Sequence, residues 1–402
     1  MNFLYLFGIM KIYFRDNFCT IYKLQLNFLV TYLTDKGVDI VYNPAQADII
    51  ILGLCAAFEA DEARSIKIIE ENMCFALGGG KKIIVYGCFS KVREDILKKY
   101  HEIKYVYLWE IDKILNELCI NNDDFYPYES MWPSNFRLKE DYRVYDKKKK
   151  FIGISTGCSF DCVYCPHKLG SGNLKSRKLD SILEQINQLK NEDVEKIILT
   201  GTDTAAYGKD LGIEFADLLE AIMAELDKMQ KNIKIRIAQF NPEGLNDKYE
   251  TLLKLCKDNR VEEFQMPIQT SSNRLLNIMN RKYTKNQVSE FIEELRKDNE
   301  NIFLRTDLLV GFPTETMDEL LESVEFANKY FDEVAIYKFE FKKGTAMEKC
   351  KFDYLSEEEK ERRKRNVYEI LGNTKCLHHS GGQDMDSLIS SDFQKEGGMK
   401  NG

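Results

Sequence analysis

Three closely spaced cysteines, Cys158, Cys162 and Cys165, constrain this chain more than any other feature of its sequence. A loop with CxxxCxxC spacing can bind three corners of a cubane iron–sulfur cluster. The fourth iron then has no protein ligand. Such an open iron can chelate a small molecule through amino and carboxylate groups and pass an electron to it. We call residues 157–165 the cysteine loop.

A zinc site and a disulfide are the simpler interpretations of the same cysteines. Zinc sites usually pair two short CxxC-type clips, and His167 is the only further ligand close to this loop in sequence. The chain has 11 cysteines. Without an export signal, cysteines in this number indicate metal ligation or free thiols in a reducing compartment rather than a disulfide framework.

Length and composition predict an ordinary cytoplasmic protein of two or three domains. The chain has 402 residues, of which 44% are hydrophobic and 30% charged. Apolar runs such as Ala47–Cys55 are too short to span a bilayer, and Met1–Ile12 lacks the features of a secretory signal. We therefore expect no membrane association, and we expect a monomer.

The net charge of −8 does not favour nucleic-acid binding by bulk electrostatics. Two local basic runs, Lys147–Lys150 and Lys175–Lys178, are candidates for phosphate contact. A solvated helix face or linker explains such runs equally simply.

Residues 1–122 alternate strand-like apolar runs with amphipathic helical patterns, which predicts a small α/β domain with a parallel sheet. Gly78, Gly79 and Gly80 should end its second helix. The predicted strands are Val38–Tyr42, Ile49–Leu54 and Lys82–Tyr86, and the predicted helices are Leu24–Lys36 and Glu62–Glu71.

Residues 123–150, with two prolines and a lysine run, are predicted to form a linker. From residue 151 to 355 a strand, loop and helix pattern repeats about six times, which predicts a partial (β/α)6 barrel of the TIM type. The cysteine loop follows the first barrel strand, where a barrel enzyme places its chemistry. The predicted strands are Phe151–Ser155, Lys196–Thr200, Lys234–Ala238, Glu263–Ile268, Ile302–Leu309 and Glu333–Phe341, with helices including Leu179–Asn191 and Lys285–Asp298.

The remaining segment, 356–402, is predicted to begin as a charged helix over Glu357–Leu371. From about Thr374 its polar, glycine-rich composition predicts disorder.

A second set of cysteines, Cys19, Cys55 and Cys88, lies near the ends of strand-like segments in the first domain. Because parallel strands of one sheet end at the same edge, their loops can bring the three thiols together. The alternative is that they pack as small apolar residues. That alternative is our prediction for the five other cysteines, Cys74, Cys119, Cys256, Cys350 and Cys376.

Taken together, several ordered segments resemble the radical S-adenosylmethionine methylthiotransferases. The likeness spans roughly residues 10–372, and the stretches 203–208 and 241–243 are most similar to the archaeal and eukaryotic branch. The segments are 48–55, 86–88, 157–165, 176–177, 201–208, 241–243, 266–272, 279–284 and 306–316.

The resemblance implies two [4Fe-4S] clusters. Cys158, Cys162 and Cys165 would hold the cluster that cleaves S-adenosylmethionine, and Cys19, Cys55 and Cys88 an auxiliary cluster that carries the sulfur. Residues of the cysteine loop and of the barrel strand ends would contact the cofactor, although each also fits a strand terminus or turn. These residues are Tyr164, Gly201, Thr202, Asn241, Pro267, Gln269, Val310 and Phe312.

The activity implied by the resemblance is insertion of a methylthio group at an unactivated carbon, with a flavodoxin- or ferredoxin-type electron donor. The archaeal and eukaryotic branch modifies N6-threonylcarbamoyladenosine in transfer RNA, which is the substrate that we predict. Two alternatives remain: sulfur insertion on a peptide or protein side chain, and a non-catalytic iron–sulfur protein.

The chain departs from the family pattern at three places. It has Gly53-Leu54-Cys55 where Asn-Thr-Cys is usual, and Asn17-Phe18-Cys19 where a Gly-Cys pair is common. Residues 374–402 are too few and too polar to form the small RNA-binding β-barrel that the family commonly appends. The first two departures predict altered hydrogen bonding at the auxiliary cluster, and the third favours the peptide or protein alternative.

Overall fold

The computed structural model describes residues 9–130, 132, 148–372 and 376–377. The described residues form two compact units. The first comprises 9–130, 132 and 166–173, and the second comprises 148–165, 174–372 and 376–377. The predicted domain boundaries stay a prediction.

The first unit is built on a five-stranded, fully parallel sheet with the strand order β2-β1-β3-β4-β5. Its central strands, such as Ile83–Val85, are buried along their length, as expected for a parallel sheet covered on both faces. All three predicted strands are present, whereas β1 and β5 were missed. The strands are β1 (Lys11–Asp16), β2 (Asp39–Val41), β3 (Ile49–Gly53), β4 (Lys82–Tyr86) and β5 (Ile103–Val106).

Both predicted helices of this unit are present and longer than predicted. The second ends where the glycines indicated, because Gly80 adopts a left-handed conformation with φ of +61°. Among the described helices, none is both long and apolar enough to cross a membrane. The helices of the unit are α1 (Thr20–Asp35), α2 (Glu59–Gly79), α3 (Cys88–Val92), α4 (Glu94–Leu97), α5 (Asp112–Glu117) and α6 (Pro166–Ser171).

The second unit contains an eight-stranded sheet with the order β13-β12-β11-β10-β9-β8-β6-β7, parallel except for β7. All six predicted barrel strands are present, with α7 to α13 between and after them. The strands are β6 (Lys149–Thr156), β7 (Lys175–Ser176), β8 (Lys196–Gly201), β9 (Lys234–Ile237), β10 (Val261–Gln265), β11 (Phe303–Val310), β12 (Glu333–Lys338) and β13 (Cys376–Leu377).

Side-chain caps fix the starts of several barrel helices. Thr284 with Gln287, and Thr316 with Glu319, form reciprocal capping boxes at α11 and α12. The helices are α7 (Leu179–Gln188), α8 (Phe215–Lys228), α9 (Tyr249–Cys256), α10 (Asn273–Ile278), α11 (Lys285–Arg296), α12 (Met317–Tyr330) and α13 (Glu357–Leu371).

A buried ladder of charges crosses four neighbouring barrel strands. The Glu263 carboxylate on β10 lies 2.9 Å from Arg236 Nε on β9 and 2.6 Å from Arg305 Nε on β11. Arg305 Nη1 is 2.6 Å from Glu333 on β12. Each buried charge therefore depends on its neighbours, and removing one leaves another uncompensated.

The structure corrects two of the sequence predictions, one for the C-terminal tail and one for a basic run. Residues 376–377 were predicted to be disordered, yet they form β13 alongside β12, because their backbone satisfies an otherwise open sheet edge. The remainder of that tail lies outside the described residues. Lys150 belongs to β6, where its Nζ pairs with Glu192 at 2.6 Å. This part of the run Lys147–Lys150 is therefore engaged in an ion pair rather than open to a phosphate ligand.

The predicted core cysteines divide into two groups. Cys256 and Cys376 are buried, as expected for small apolar side chains. Cys74 and Cys119 are exposed and Cys350 is partly exposed, so the core prediction is wrong for them. Helix and turn surfaces hold these three thiols, and sequence composition alone does not distinguish such positions.

Candidate active site

The cysteine loop leaves the carboxyl end of β6. Gly157, with φ of +68°, supplies the turn that the strand needs to enter the loop. Cys158, Cys162 and Cys165 follow, all partly buried and none of them in a disulfide. The loop therefore occupies the edge of a parallel sheet where barrel enzymes carry their catalytic groups.

The three thiols of the loop influence one another. Burial raises the pKa of Cys158, and the nearby Asp203, Cys165 and Cys162 raise it further. Burial also raises the pKa of Cys162, whereas the Arg281 guanidinium lowers it. The backbone N–H of Phe160 donates to Cys158 Sγ at 3.4 Å. A bound cation makes thiols grouped in this way easier to deprotonate, as it does for cysteines that bind metals.

The backbone of the cysteine loop is held by the segment that follows α10. Val163 N–H donates to Met279 O at 3.1 Å, and the Asn280 side-chain amide donates to Asp161 O at 2.8 Å. On the other side, Met347 N–H donates to Val163 O at 3.1 Å. The loop is therefore fixed by residues far away in sequence, at both of its edges.

Arg281 joins the cysteine loop to the predicted cofactor residues. Its Nη1 donates to Tyr164 Oη at 3.2 Å and to Cys162 Sγ at 3.7 Å. Its Nη2 donates to Asn241 Oδ1 at 3.0 Å and to Pro267 O at 2.7 Å. One buried side chain thus brings together four residues that the sequence analysis had named separately.

The end of β8 carries the next group of predicted residues. Gly201 lies so close to β6 that an added Cβ would be 2.8 Å from Ser155 Oγ, which gives this glycine a packing role. Thr202 follows, partly buried. Beyond it, Asp203 accepts from Asn241 N–H at 3.2 Å, and burial raises its pKa to about 7. Asp203 is not among the site residues predicted from the sequence.

Pro267 and Gln269 follow β10, and the backbone of Gln269 is hydrogen-bonded to β11. Gln269 has φ of +64°, its N–H donates to Asp307 O at 2.8 Å, and its carbonyl accepts from Leu309 N–H at 2.9 Å. A non-glycine residue in this conformation is strained and needs such fixation. Burial also raises the pKa of the Asp307 side chain to about 7.

Val310 and Phe312 stand at the end of β11 and are fully buried. The Phe312 ring lies 6.1 Å from the Tyr164 ring and 5.4 Å from the Phe339 ring, both edge to face. Glu315 fixes this turn by accepting from Gly311 N–H at 2.9 Å and from Arg363 of α13 at 2.8 Å. Phe312, rather than Val310, therefore forms an aromatic wall beside the cysteine loop.

In the first unit, Cys19, Cys55 and Cys88 follow β1, β3 and β4, which are adjacent in the sheet. The three cysteines therefore lie at the same edge. Burial and, to a smaller extent, the Asp61 carboxylate raise the pKa of Cys19 to about 11. Burial raises the pKa of Cys55, and the charges of Asp61 and Cys19 add to this effect. We call these three the strand-end cysteines.

The backbone of Cys55 is held by side chains on both sides. Its N–H donates to Asn17 Oδ1 at 2.9 Å, and its carbonyl accepts from Ser65 Oγ at 2.6 Å. The Asn17 amide in turn donates to Ser65 Oγ at 3.0 Å and to Asp61 O at 3.2 Å. Asn17, which lies in the departing segment Asn17-Phe18-Cys19, thus orders the backbone at Cys55, the cysteine that follows β3.

The other departures at this edge fit one another. A Cβ added to Gly53 would lie 2.7 Å from the Phe18 ring, and one added to Gly87 would lie 2.6 Å from it. Phe18 also packs edge to face with Tyr86 at 5.8 Å. A chain with phenylalanine at 18 therefore needs a residue without a side chain at 53.

Cys88 begins α3, which packs on α6. An added Cβ on Gly170 of α6 would lie 2.9 Å from the Cys88 Cβ. Within the described ranges, no group of three or more His, Cys, Asp or Glu side chains is close enough together to hold a metal ion. Each of the two groups of three cysteines nevertheless offers the sulfur ligands that an iron–sulfur cluster requires, which are thiolates.

Two family models match the chain. Residues 152–327 match the radical SAM superfamily, and residues 11–107 match uncharacterized protein family UPF0004. The ribosomal protein uS12 methylthiotransferase RimO of Clostridium novyi is 31% identical over 363 residues, which are 88% of this chain and 80% of that protein. The chain belongs to the radical S-adenosylmethionine methylthiotransferases.

A probable threonylcarbamoyladenosine tRNA methylthiotransferase of Pyrococcus abyssi is 27% identical over 346 residues, covering 85% of this chain and 79% of that protein. Among solved structures, the radical S-adenosylmethionine methyltransferase TsrM of Kitasatospora setae, with cobalamin and a [4Fe-4S] cluster bound, has a TM-score of 0.64. Its identity is 14%, over 85% of this chain and 77% of that chain, so the likeness concerns the fold.

Family membership confirms the predicted fold class, enzymatic activity and cofactors of this methylthiotransferase, which are S-adenosylmethionine and two [4Fe-4S] clusters. The individual ligand and cofactor contacts stay predictions. The sequence analysis quoted the segment 279–284 without giving Arg281 a role. No local pattern identifies this arginine, because its contact with Cys162 joins positions 119 residues apart in the chain.

Proposed function

We propose that this methylthiotransferase binds one [4Fe-4S] cluster on Cys158, Cys162 and Cys165, and the other on the strand-end cysteines. The observation that carries this proposal is that each set of three cysteines, none of them in a disulfide, lies at the carboxyl edge of a parallel sheet. Bound there, the clusters and S-adenosylmethionine would supply an electron for reductive cleavage of the cofactor and a sulfur for transfer to an unactivated carbon.

The residues of the chain provide the positioning that such chemistry needs. Met279, Asn280 and Met347 fix the backbone of the cysteine loop. The rings of Tyr164 and Phe312 pack edge to face and form an aromatic wall at the same edge. Asn241 and Pro267 are held at the ends of β9 and β10, where polar atoms can orient a bound cofactor. Correct orientation of reacting groups accounts for a large part of a catalysed rate.

The proposed substrate is N6-threonylcarbamoyladenosine in transfer RNA. Support comes from the segments 203–208 and 241–243 and from the similarity to the Pyrococcus abyssi relative. A flavodoxin- or ferredoxin-type donor, a monomeric state and a reducing, cytoplasmic compartment belong to the same proposal.

A peptide or protein side chain is the second candidate substrate. The Clostridium novyi relative, at 31% identity, is a ribosomal protein methylthiotransferase. The net charge of −8 also suits a basic protein partner better than a polyanion.

Iron and acid-labile sulfide per chain after anaerobic reconstitution test the cluster assignment. We expect about eight irons in the wild type and about four in each of two triple variants, Cys158/Cys162/Cys165→Ala and Cys19/Cys55/Cys88→Ala. A Cys74/Cys119/Cys350→Ala variant is the matched control and should keep all of its iron. If the wild type binds only about four irons and the Cys158/Cys162/Cys165→Ala variant binds none, the assignment of a cluster to the strand-end cysteines is wrong.

Mass spectrometry of reaction products separates the substrates. The reconstituted wild type is incubated with S-adenosylmethionine, a reductant and either transfer RNA containing N6-threonylcarbamoyladenosine or ribosomal protein uS12. A methylthio mass increase on the nucleoside supports the first candidate, and one on the protein supports the second. With both clusters loaded and neither product formed, both candidates fail.

A further inference from the structure

Arg281 is the most completely bonded charged side chain near the cysteine loop. A guanidinium has five N–H donors, and here each has an acceptor. Nε donates to Tyr283 Oη at 3.0 Å, while the four Nη hydrogens are directed to Cys162 Sγ, Tyr164 Oη, Asn241 Oδ1 and Pro267 O. Lysine, with three donors on one nitrogen, cannot reproduce this set.

The end of helix α10 fixes the position of Arg281. Asn280 adopts the left-handed conformation with φ of +56°, its N–H donates to Asn277 O at 3.1 Å, and Arg281 N–H donates to Leu276 O at 2.9 Å. These two bonds form a Schellman motif. The same turn holds the cysteine loop through Met279 O and the Asn280 side chain. Backbone and side chain therefore act on the loop together.

Arg281 has no carboxylate in direct contact within the described part of the chain, and the buried Asp203 and Asp307 lie near enough for its charge to lower the pKa of each against the effect of burial. The side chain is buried, with 7% exposure, and four of its five acceptors are neutral oxygens. The fifth acceptor is the sulfur of Cys162. A buried cation is costly without a counter-charge. A cluster on three thiolates carries net negative charge and would provide one.

We infer that Arg281 is a positioning residue for this cluster, which rests on the proposed function. It holds the cysteine loop against the ends of β9 and β10 and raises the reduction potential of the cluster. The physical reason is that reduction adds one electron to the cluster. A fixed positive charge and a hydrogen bond to a ligand sulfur both stabilise the more negative state.

Redox titration of the full-length, reconstituted protein tests this inference. The variants are Arg281→Met, which removes the charge and the fork, and Arg281→Lys, which keeps the charge alone. Dithionite with mediators supplies the electron, and electron paramagnetic resonance follows the cluster signal that is absent from the Cys158/Cys162/Cys165→Ala variant. Arg296→Met is the matched control, since this arginine pairs with Asp332 at the other end of the barrel strands.

We expect a lower midpoint potential for Arg281→Met, an intermediate value for Arg281→Lys and no change for Arg296→Met. Loss of iron to a chelator should be about 10- to 100-fold faster in Arg281→Met, as for other groups that orient metal ligands. If Arg281→Met does not fold, Arg281→Lys carries the test alone. Wild-type potential together with a wild-type rate of iron loss in the folded variants would overturn the inference.

Failure of the proposed function gives a different result. In that case the wild type itself shows no four-iron signal that depends on the cysteine loop, whatever residue stands at 281.

Discussion

The two sets of cysteines reach similar positions by different routes. The cysteine loop supplies all three of its thiols from nine consecutive residues after one strand, β6. The strand-end cysteines come from three strands, and they share an edge only because β1, β3 and β4 are neighbours in the sheet. A contiguous motif is visible in the sequence, whereas a site built from separate strands depends on strand order.

The contiguous loop is nevertheless not an independent structure. Its backbone is bonded to residues 279, 280 and 347, and one of its thiols to Arg281. At the strand ends the corresponding support comes from closer in the chain, through Asn17 and Ser65 around Cys55. The site that is easier to find in the sequence thus has the more distant supports.

The largest effect is expected from breaking the barrel that supports the cysteine loop. Glu263→Gln leaves Arg236 and Arg305 buried with one negative charge fewer, which should lower the free energy of unfolding by about 3–5 kcal/mol. Denaturant unfolding measures this change. The neighbouring variant Glu262→Gln, which removes a partly exposed pair with Lys196, is the control and should cost about 1 kcal/mol or less. Equal losses would show that the ladder is not a strongly coupled unit.

A substitution at Gly87 should disturb the strand-end cysteines and leave the cysteine loop unchanged. Gly87 has φ of +134°, and an added Cβ would overlap the carbonyl oxygen of Leu54 and the Phe18 ring. Gly87→Ala should therefore cost about 1–3 kcal/mol of backbone strain beyond the clash and displace the adjacent Cys88. We expect about four irons to remain, all on the cysteine loop.

Gly78→Ala is the control for this variant, since no atom lies within 4 Å of the Cβ position at Gly78. Retention of about eight irons by Gly87→Ala would show that Cys88 does not need the native turn.

A smaller effect is expected at Asn17, which orders Cys55. Asn17→Ala removes the acceptor of the Cys55 N–H, and a buried donor left without a partner costs about 1–3 kcal/mol. Iron should be lost more quickly from the strand-end site than from the cysteine loop when a chelator is added. Asn17→Asp keeps the acceptor oxygen and should restore part of the retention. Equal rates for wild type and Asn17→Ala would rule out this ordering role.

The smallest effect concerns acid stability on the barrel side of the comparison. Arg274 hydrogen-bonds to Glu319 and lowers the pKa of that carboxyl to about 2, from 4.5. The folded-state pKa lies below the unfolded one. The stabilisation is therefore present above about pH 4.5 and is lost as pH falls toward 2.

Glu319→Gln should therefore melt with a weaker pH dependence than the wild type between about pH 4.5 and 3, in thermal melts across that range. Glu322→Gln, which removes a partly exposed carboxylate of the same helix paired with Lys285, is the control. Identical pH dependence for wild type and Glu319→Gln would contradict the assigned hydrogen-bonding.

The sequence predicted most of the fold because its strands are long apolar runs separated by helical periodicity. The missed strands had weaker signals. β1 includes charged residues at Lys11, Arg15 and Asp16, and β5 has only four residues. β13, at Cys376–Leu377, is two residues long, so only the open edge of β12 defines it.

By itself, the sequence determined the chemistry that this protein can carry: three thiols at fixed spacing, a second set of cysteines after strand-like runs, and ordered segments of a recognisable family. Tertiary structure alone decided which groups surround those thiols. Arg281 reaches Cys162 across 119 residues of chain, and Phe18 meets Gly53 and Gly87 across three strands. Local patterns encode elements, whereas contacts between elements arise from packing, which no short stretch of sequence contains.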